Sequence, residues 1–350
     1  MVREYLKKHN MPPTLNTKGF QKRMSSWYHE TRRPNKSDNP KVTGTKSTEE
    51  QIEERRAAAE AHGTLIDLST EEKPTTKEEL RTWLQEYCQG VKKHGEPNTW
   101  DVTSVTDMSE LFAGLDTFNA PIDQWDTSQV TNMKAMFDGA TTFNQPLTFD
   151  TSQVTNMAFM FCGATAFNQP LASFDTEQVT DMAFMFHDAT TFNQPLTFNT
   201  SKVTDMRYMF YKATTFNQPL TFDTSAVTTM YGMFCDATAF NQPLTFNTSK
   251  VTNMYGMFCD ATAFNQPLTF DTSQVTTMQS MFYKATTFNQ PLTFDTSAVT
   301  TMSGMFRDAR AFNQPLTFDT RKVTDMRSMF WNASAMTYPK PGERPKPTTK

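Results

Sequence analysis

Three cysteines, Cys162, Cys235 and Cys259, each stand directly after a Met-Phe pair. Thiols at one recurring position could close a disulfide, hold zinc or act as nucleophiles. Cys235 and Cys259 are one repeat apart, which in stacked coils means about 5 Å, a span a disulfide can bridge. In a reducing cytosol two free thiols are the expected state. Zinc does not fit, because Cys162 belongs to a distant copy and no histidine joins the close pair. Of the five histidines only His187 falls within the clearly repeated copies, at a position elsewhere filled by Cys, Tyr, Arg or Trp, and it reads as a surface residue rather than a base. Phosphate-binding glycine loops, Gly-x-Ser-x-Gly and His-Glu-x-x-His are absent, so neither an enzyme nor a cofactor is expected.

The other candidate chemistry lies in residues that recur in every copy and would form columns when copies stack. Asp150, Asp175, Asn199, Asp223, Asn247, Asp271, Asp295 and Asp319 make an acidic column with interspersed amides. Each precedes Thr and then Ser, Glu or Arg, the setting of a side-chain-capped turn rather than of a cation site. Asn144, Asn168 and their equivalents, each followed by Gln, would form amide ladders that satisfy turn backbone. Thr148, Thr197, Thr221 and later copies would line an outward hydroxyl face. Positions that vary between copies include an aromatic run, Phe159, Phe184 and Tyr208, continued one position earlier by Tyr231 and Tyr255. Exposed, this run would suit a protein or glycan partner; packing against adjacent coils is the equal alternative.

These columns require an element that repeats with a fixed period. The Phe of Phe-Asn-Gln-Pro recurs at 143, 167, 192, 216, 240, 264, 288 and 312, with Phe118 in a degenerate copy, so the step is 24 or 25 residues. Such a period is the mark of a solenoid. Within a coil Val154, Met157, Phe161, Ala164, Phe167, Leu171 and Phe174 should point inward. Leu-Thr-Phe alternates like a short strand opened by proline, and Met-x-x-Met-Phe-x-x-Ala has the spacing of a short helix. The expected fold is an α/β repeat solenoid over residues 101–335, leucine-rich-repeat-like, with one strand and one short helical segment per coil. Residues 76–100 read as its N-terminal cap: Thr76 and Glu79 form a capping box, Leu80, Trp83, Leu84 and Tyr87 share a helix face, and Gly90 ends it. Residues 336–350, rich in Pro and Lys, read as a disordered tail.

Ahead of the cap the charge changes sign. Residues 1–46 carry 11 Lys/Arg against 3 Asp/Glu, and residues 47–75 carry 3 against 8, within a chain whose net charge is -4. The head, residues 1–40, reads as two short helices around Met11-Pro12-Pro13, with Lys7, Lys8, Lys18, Lys22 and Arg23 placed to meet phosphates of DNA. Residues 41–75 read as a charged linker, helical or disordered. The charged first ten residues are unlike a signal peptide and no stretch is long and apolar enough for a membrane helix, so an intracellular place, cytoplasmic or nuclear, and no membrane insertion are expected.

Two resemblances add to this reading. Val-Thr-Asp-Met, Met-Phe, Ala-Thr-x-Phe-Asn-Gln-Pro-Leu and Asp-Thr-Ser-x-Val-Thr, over residues 76–335, resemble the BspA-like leucine-rich-repeat surface proteins with DUF285 repeats. That resemblance implies a curved solenoid that binds partners, displayed at a cell surface or secreted as an adhesin. Val2-Arg-Glu-Tyr-Leu-Lys-Lys-His-Asn-Met-Pro with Thr17-Lys18 and Gln21-Lys22-Arg23-Met24 resembles the SAP motif, with Asn16 where the motif has its turn glycine. It implies DNA binding by the head. Together they suggest a non-enzymatic repeat scaffold for a protein or glycan ligand, tethered to DNA; a surface adhesin without its export signal is the rival.

Overall fold

A helix too short to stand alone lies at the start of the described residues and is held by its ends. The computed structural model describes residues 73–339 and residue 341, all within a compact unit spanning Glu71–Lys350. The basic head, with Lys7, Lys8, Lys18, Lys22 and Arg23, most of the charged linker and most of the tail lie outside the described residues. Helix α1 spans Lys77–Cys88. Thr76 Oγ1 accepts the Glu79 N–H at 3.2 Å, and the Glu79 carboxylate accepts from Thr75 N and Thr75 Oγ1, both at 2.8 Å. The capping box is therefore present, with Glu79 returning one residue further back than Thr76. At the other end Gly90, at φ 85°, donates to Tyr87 O and Val91 donates to Glu86 O, the paired bonds of a Schellman stop.

Leu80 and Leu84 are fully buried against the first coil, with Trp83, Tyr87 and Cys88 packed beside them. Arg81 reaches over the rim and donates to the carbonyls of Glu110, Leu111 and Ala113. In later coils the equivalents of Leu111 O and Ala113 O accept N–H groups from the preceding coil, as Met136 O does from Phe112 N. One guanidinium thus replaces the neighbour that the first coil lacks.

Beyond the cap, copies stack in parallel register. Isolated bridges join Asp107 to Asn132, Asn132 to Asn156, Asn156 to Asp181, and so on to Asp325. The expected inward residues are all in the core: Val154, Met157, Phe161, Ala164 and Phe167 are 0 % exposed, Leu171 1 % and Phe174 6 %. Phenylalanine rings stack along the coils, Phe161 on Phe186 at 5.7 Å and Phe143 on Phe167 at 6.1 Å, while Phe161 also meets Phe167 at 4.2 Å within its own coil. Each fully buried Phe contributes roughly 1.5–3 kcal/mol. No coil could bury these rings alone, so the stability lies between neighbours.

The internal form of the coil departs from expectation. Among the described residues the coils contain neither a strand nor an α-helix; regular structure beyond α1 is a single 3-10 turn, Pro97–Thr99. Leu147-Thr148-Phe149 keeps the in-out-in alternation, and an isolated bridge forms on this edge between Leu196 and Leu220. The Met-Phe segment is a chain of turns. Ala135 (φ 55°) and Gly139 (φ 70°) are left-handed, and so are their equivalents in the other coils. Alternate peptides consequently stand across the coil: Met133, Ala135, Phe137 and Gly139 donate to Asn156, Ala158, Met160 and Cys162 of the next copy. The peptides between them close turns inside the coil, as Met136 N does to Met133 O. Here the backbone of every coil directs its N–H groups to the following neighbour, a pairing neither helix nor strand propensity describes.

Candidate functional site

The turn segment that follows Val-Thr-x-Met carries the side chains that differ most between copies, so it is the part of the surface with an address. Its first column contains Lys134, Ala158, Arg207, Tyr231 and Ser303; its second Phe159, Phe184, Tyr208, Gly232 and Ser280; its third Asp138, Cys162, His187, Tyr211 and Arg307. All positions of the second column are left-handed, which throws its side chains to one side.

The aromatic run becomes a ladder. Phe159 stacks on Phe184 at 4.4 Å, Phe184 meets Tyr208 at 5.0 Å, Tyr208 meets Tyr231 edge-on at 4.7 Å, and Tyr231 stacks on Tyr255 at 4.7 Å. Phe184 is buried and the other four are half-buried. Of the two alternatives that the sequence leaves open, packing holds here: the run is a ridge whose ring faces are largely taken by neighbours. The jog between Tyr208 and Tyr231 has a steric cause. A Cβ at Gly232 would lie 2.4 Å from Cε1 of Tyr208, so the ring fits only because the next aromatic stands one residue earlier. Burial pushes the Tyr231 hydroxyl up to about 12 and Tyr208 well above the usual range.

Behind the ridge Tyr211, Cys235 and Cys259 form a small buried cluster with Tyr208 and Tyr283 packed against it. All four cysteines are free thiols. The hydrogen bond to Cys259 and burial together hold the Cys235 thiol well above the usual range, which makes it a poor nucleophile. Cys162 Sγ lies 3.7 Å from His187 Nδ1, but Asp188 Oδ2 meets the same nitrogen at 3.1 Å. A relay needs its orienting carboxylate on the opposite ring nitrogen, so these three residues do not form one. Lys212 and Lys284 bridge to Asp188 at 3.7 Å and Asp260 at 3.4 Å, and Arg307 lies 4.6 Å over the Trp331 ring. Among the described residues no group of three or more His, Cys, Asp or Glu could hold a metal ion.

The constant columns are structural. Asn168 N donates to Asn144 Oδ1 at 2.9 Å and Gln169 Nε2 to Asn144 O at 3.1 Å, a pattern that repeats to the last coils. Asp150 Oδ1 accepts the Ser152 N–H at 3.0 Å, Asp223 that of Ser225 at 2.9 Å, the capped turn expected of the acidic column. A column missed from sequence is the Thr after each Asp or Asn. Thr151, Thr176, Thr200 and their equivalents as far as Thr296 are 1 % exposed, and Thr151 Oγ1 donates to Asp175 O of the next coil at 2.7 Å. Its signal was its constancy at a position that β propensity does not explain. Met160 and its equivalents, fully buried, were likewise left out of the expected core.

A family described as "Mycoplasma protein of unknown function, DUF285" matches residues 82–197, 148–244, 196–269 and 268–341. The chain belongs to the DUF285 family. The overlapping DUF285 matches begin inside α1 and run the length of the stack, as tandem copies require, and none reaches the basic head. No curated protein matches the chain. The DUF285 description carries no activity, so any function has to be argued from the surface.

Proposed function

We propose that this DUF285 chain is a non-enzymatic scaffold, a repeat solenoid in architecture, that binds a protein or glycan partner along the varied Met-Phe face. The observation that carries this reading is the concentration of chemically dissimilar residues on that face, beside columns that are almost the same in every coil. A uniform surface offers no register, whereas Arg207, Tyr231, Tyr255, Tyr283 and Arg307 differ along the stack and are at least partly accessible. Aromatics and arginine are the residues on which binding energy concentrates. The ladder geometry favours a protein over a glycan: sugars stack on ring faces, and here the faces meet one another. No helix among the described residues is long and apolar enough to cross a membrane.

Tyr231→Ser combined with Tyr255→Ser tests this reading, because Ser303 fills the position of Tyr231 in a later coil and keeps the backbone. Against a partner identified by crosslinking to the intact chain, the double variant should bind about tenfold or more weakly. Thr245→Ser with Thr269→Ser, on a constant column, should not change affinity. Equal binding by both pairs would remove the face from consideration. A second reading, attachment to DNA through Lys7, Lys8, Lys18, Lys22 and Arg23, is favoured by the charge asymmetry of the head.

A further inference from the structure

Four Asn-x-Ser/Thr triplets without an intervening proline occur in the chain, at Asn35, Asn199, Asn247 and Asn332. Such a triplet is the acceptor signature for an N-linked glycan when its amide is accessible. Asn35 lies outside the described residues, and the structure separates the other three. We propose that Asn199 and Asn247 are N-glycan attachment sites and that Asn332 is not.

At Asn199, Oδ1 accepts the Ser201 N–H at 3.2 Å and the Ser201 hydroxyl at 2.8 Å. Asn247 repeats this with Ser249 at 3.1 Å and 2.8 Å. A backbone N–H can only donate, so the amide atom facing it must be the oxygen, and Nδ2 is turned away from the turn. No acceptor among the described residues takes Nδ2 of either side chain. Both asparagines and both serines are exposed. Asn332 and Ser334 are exposed too, but the Asn332 Nδ2 donates to Asp308 Oδ1 at 2.5 Å, and its backbone is left-handed at φ 58°. The amide that a transferase would need is there committed to the preceding coil.

The same column carries Asp in the other regular coils, Asp175, Asp223 and Asp271 among them, and a carboxylate cannot accept a glycan. The turn is indifferent to the exchange, since Asp223 Oδ1 caps Ser225 as Asn199 caps Ser201. Asn at just these two exposed positions therefore adds an acceptor without altering the fold. In the transfer, Nδ2 attacks the anomeric carbon of a lipid-diphosphate-linked oligosaccharide. The C–O bond to the diphosphate breaks, the lipid diphosphate leaves with its electron pair, and Nδ2 gives its proton to a base of the transferase. Two such glycans would project from one edge, two coils or about 10 Å apart. Their presence would mark a chain that has crossed into a secretory lumen, and so would favour display over an intracellular tether.

The test takes the full chain from the cells that make it, treats it with peptide-N-glycosidase in heavy-oxygen water, and compares its peptides by mass spectrometry. Asn199 and Asn247 should be converted to heavy-labelled Asp while Asn332 stays Asn. Absence of label at Asn199 and Asn247, or label at Asn332, would overturn the assignment. A companion chain carrying Asn199→Asp and Asn247→Asp should lose the electrophoretic shift that the enzyme removes while keeping the parent's thermal transition. A shift undiminished from the parent's would count against these two sites.

Discussion

Asp138 heads the column that continues through Cys162 and His187, and at 2 % exposure it is the one carboxylate counted as buried among the described residues. Burial raises its pKa to about 7, against a smaller opposing pull from its hydrogen bond with Cys162. A carboxyl whose folded value exceeds its unfolded value of about 4 binds more protons in the folded state between the two. Its stabilising share is complete below about pH 4 and is lost as pH rises through about 7. Asp138→Asn, which keeps the shape and removes the titration, should therefore abolish this slope. The variant should be more stable than the parent at pH 8 by up to about 4 kcal/mol and nearly equal at pH 4, read from urea unfolding at both values. Glycine gives a matched pair on the neighbouring column. Gly232 and Gly256 share a left-handed backbone, φ 58° and 57°, but a Cβ meets Tyr208 at 2.4 Å in the first and nothing nearer than 3.6 Å in the second. Gly232→Ala should cost about 1–3 kcal/mol more than Gly256→Ala, because backbone strain cancels and overpacking remains.

At the scale of the coil, the amide ladder is the element whose role can be isolated. Asn217 Oδ1 accepts Asn241 N at 2.9 Å, and Gln242 Nε2 reaches both Asn217 O and Oδ1 at 3.1 Å. Asn217→Ala strands a half-buried N–H and should cost about 1–3 kcal/mol in chemical denaturation, whereas Asn217→Asp keeps the acceptor and should cost less. Much of this element was legible beforehand: the period, the inward residues, the ladder, the capped turns and the Thr76 to Gly90 cap all follow from polarity at a fixed spacing. The interior of the Met-Phe segment was not. Apolar residues three and four apart resemble a helix, yet the segment alternates handedness through Ala135, Phe159, Tyr208 and Ser280, residue types that seldom accept positive φ. Packing against identical neighbours on both sides outweighs that preference, and no local rule contains the neighbours. The sequence left the aromatic run open between exposure and packing for the same reason, since its ring contacts are made between coils.

Across the whole molecule, the head carries a charge that the stack does not share. Residues 76–350 carry 19 Lys/Arg against 26 Asp/Glu, so this part of the chain repels a polyanion, while residues 1–46 carry 11 against 3. Any affinity for duplex DNA must then come from the head and be opposed by the body. If Lys7, Lys8, Lys18, Lys22 and Arg23 each neutralise one phosphate, log affinity should fall with log salt at a slope near -4.5, set by released counterions. Fluorescence anisotropy of labelled duplex with the intact chain should show that slope. The intact chain with all five residues changed to Gln should show binding that is weak at low salt and nearly independent of salt. A steep slope surviving in the Gln variant would move the contact elsewhere. Absence of binding by both chains at low salt would detach the head from DNA, leaving the varied face of the stack as the surface on which function has to be sought.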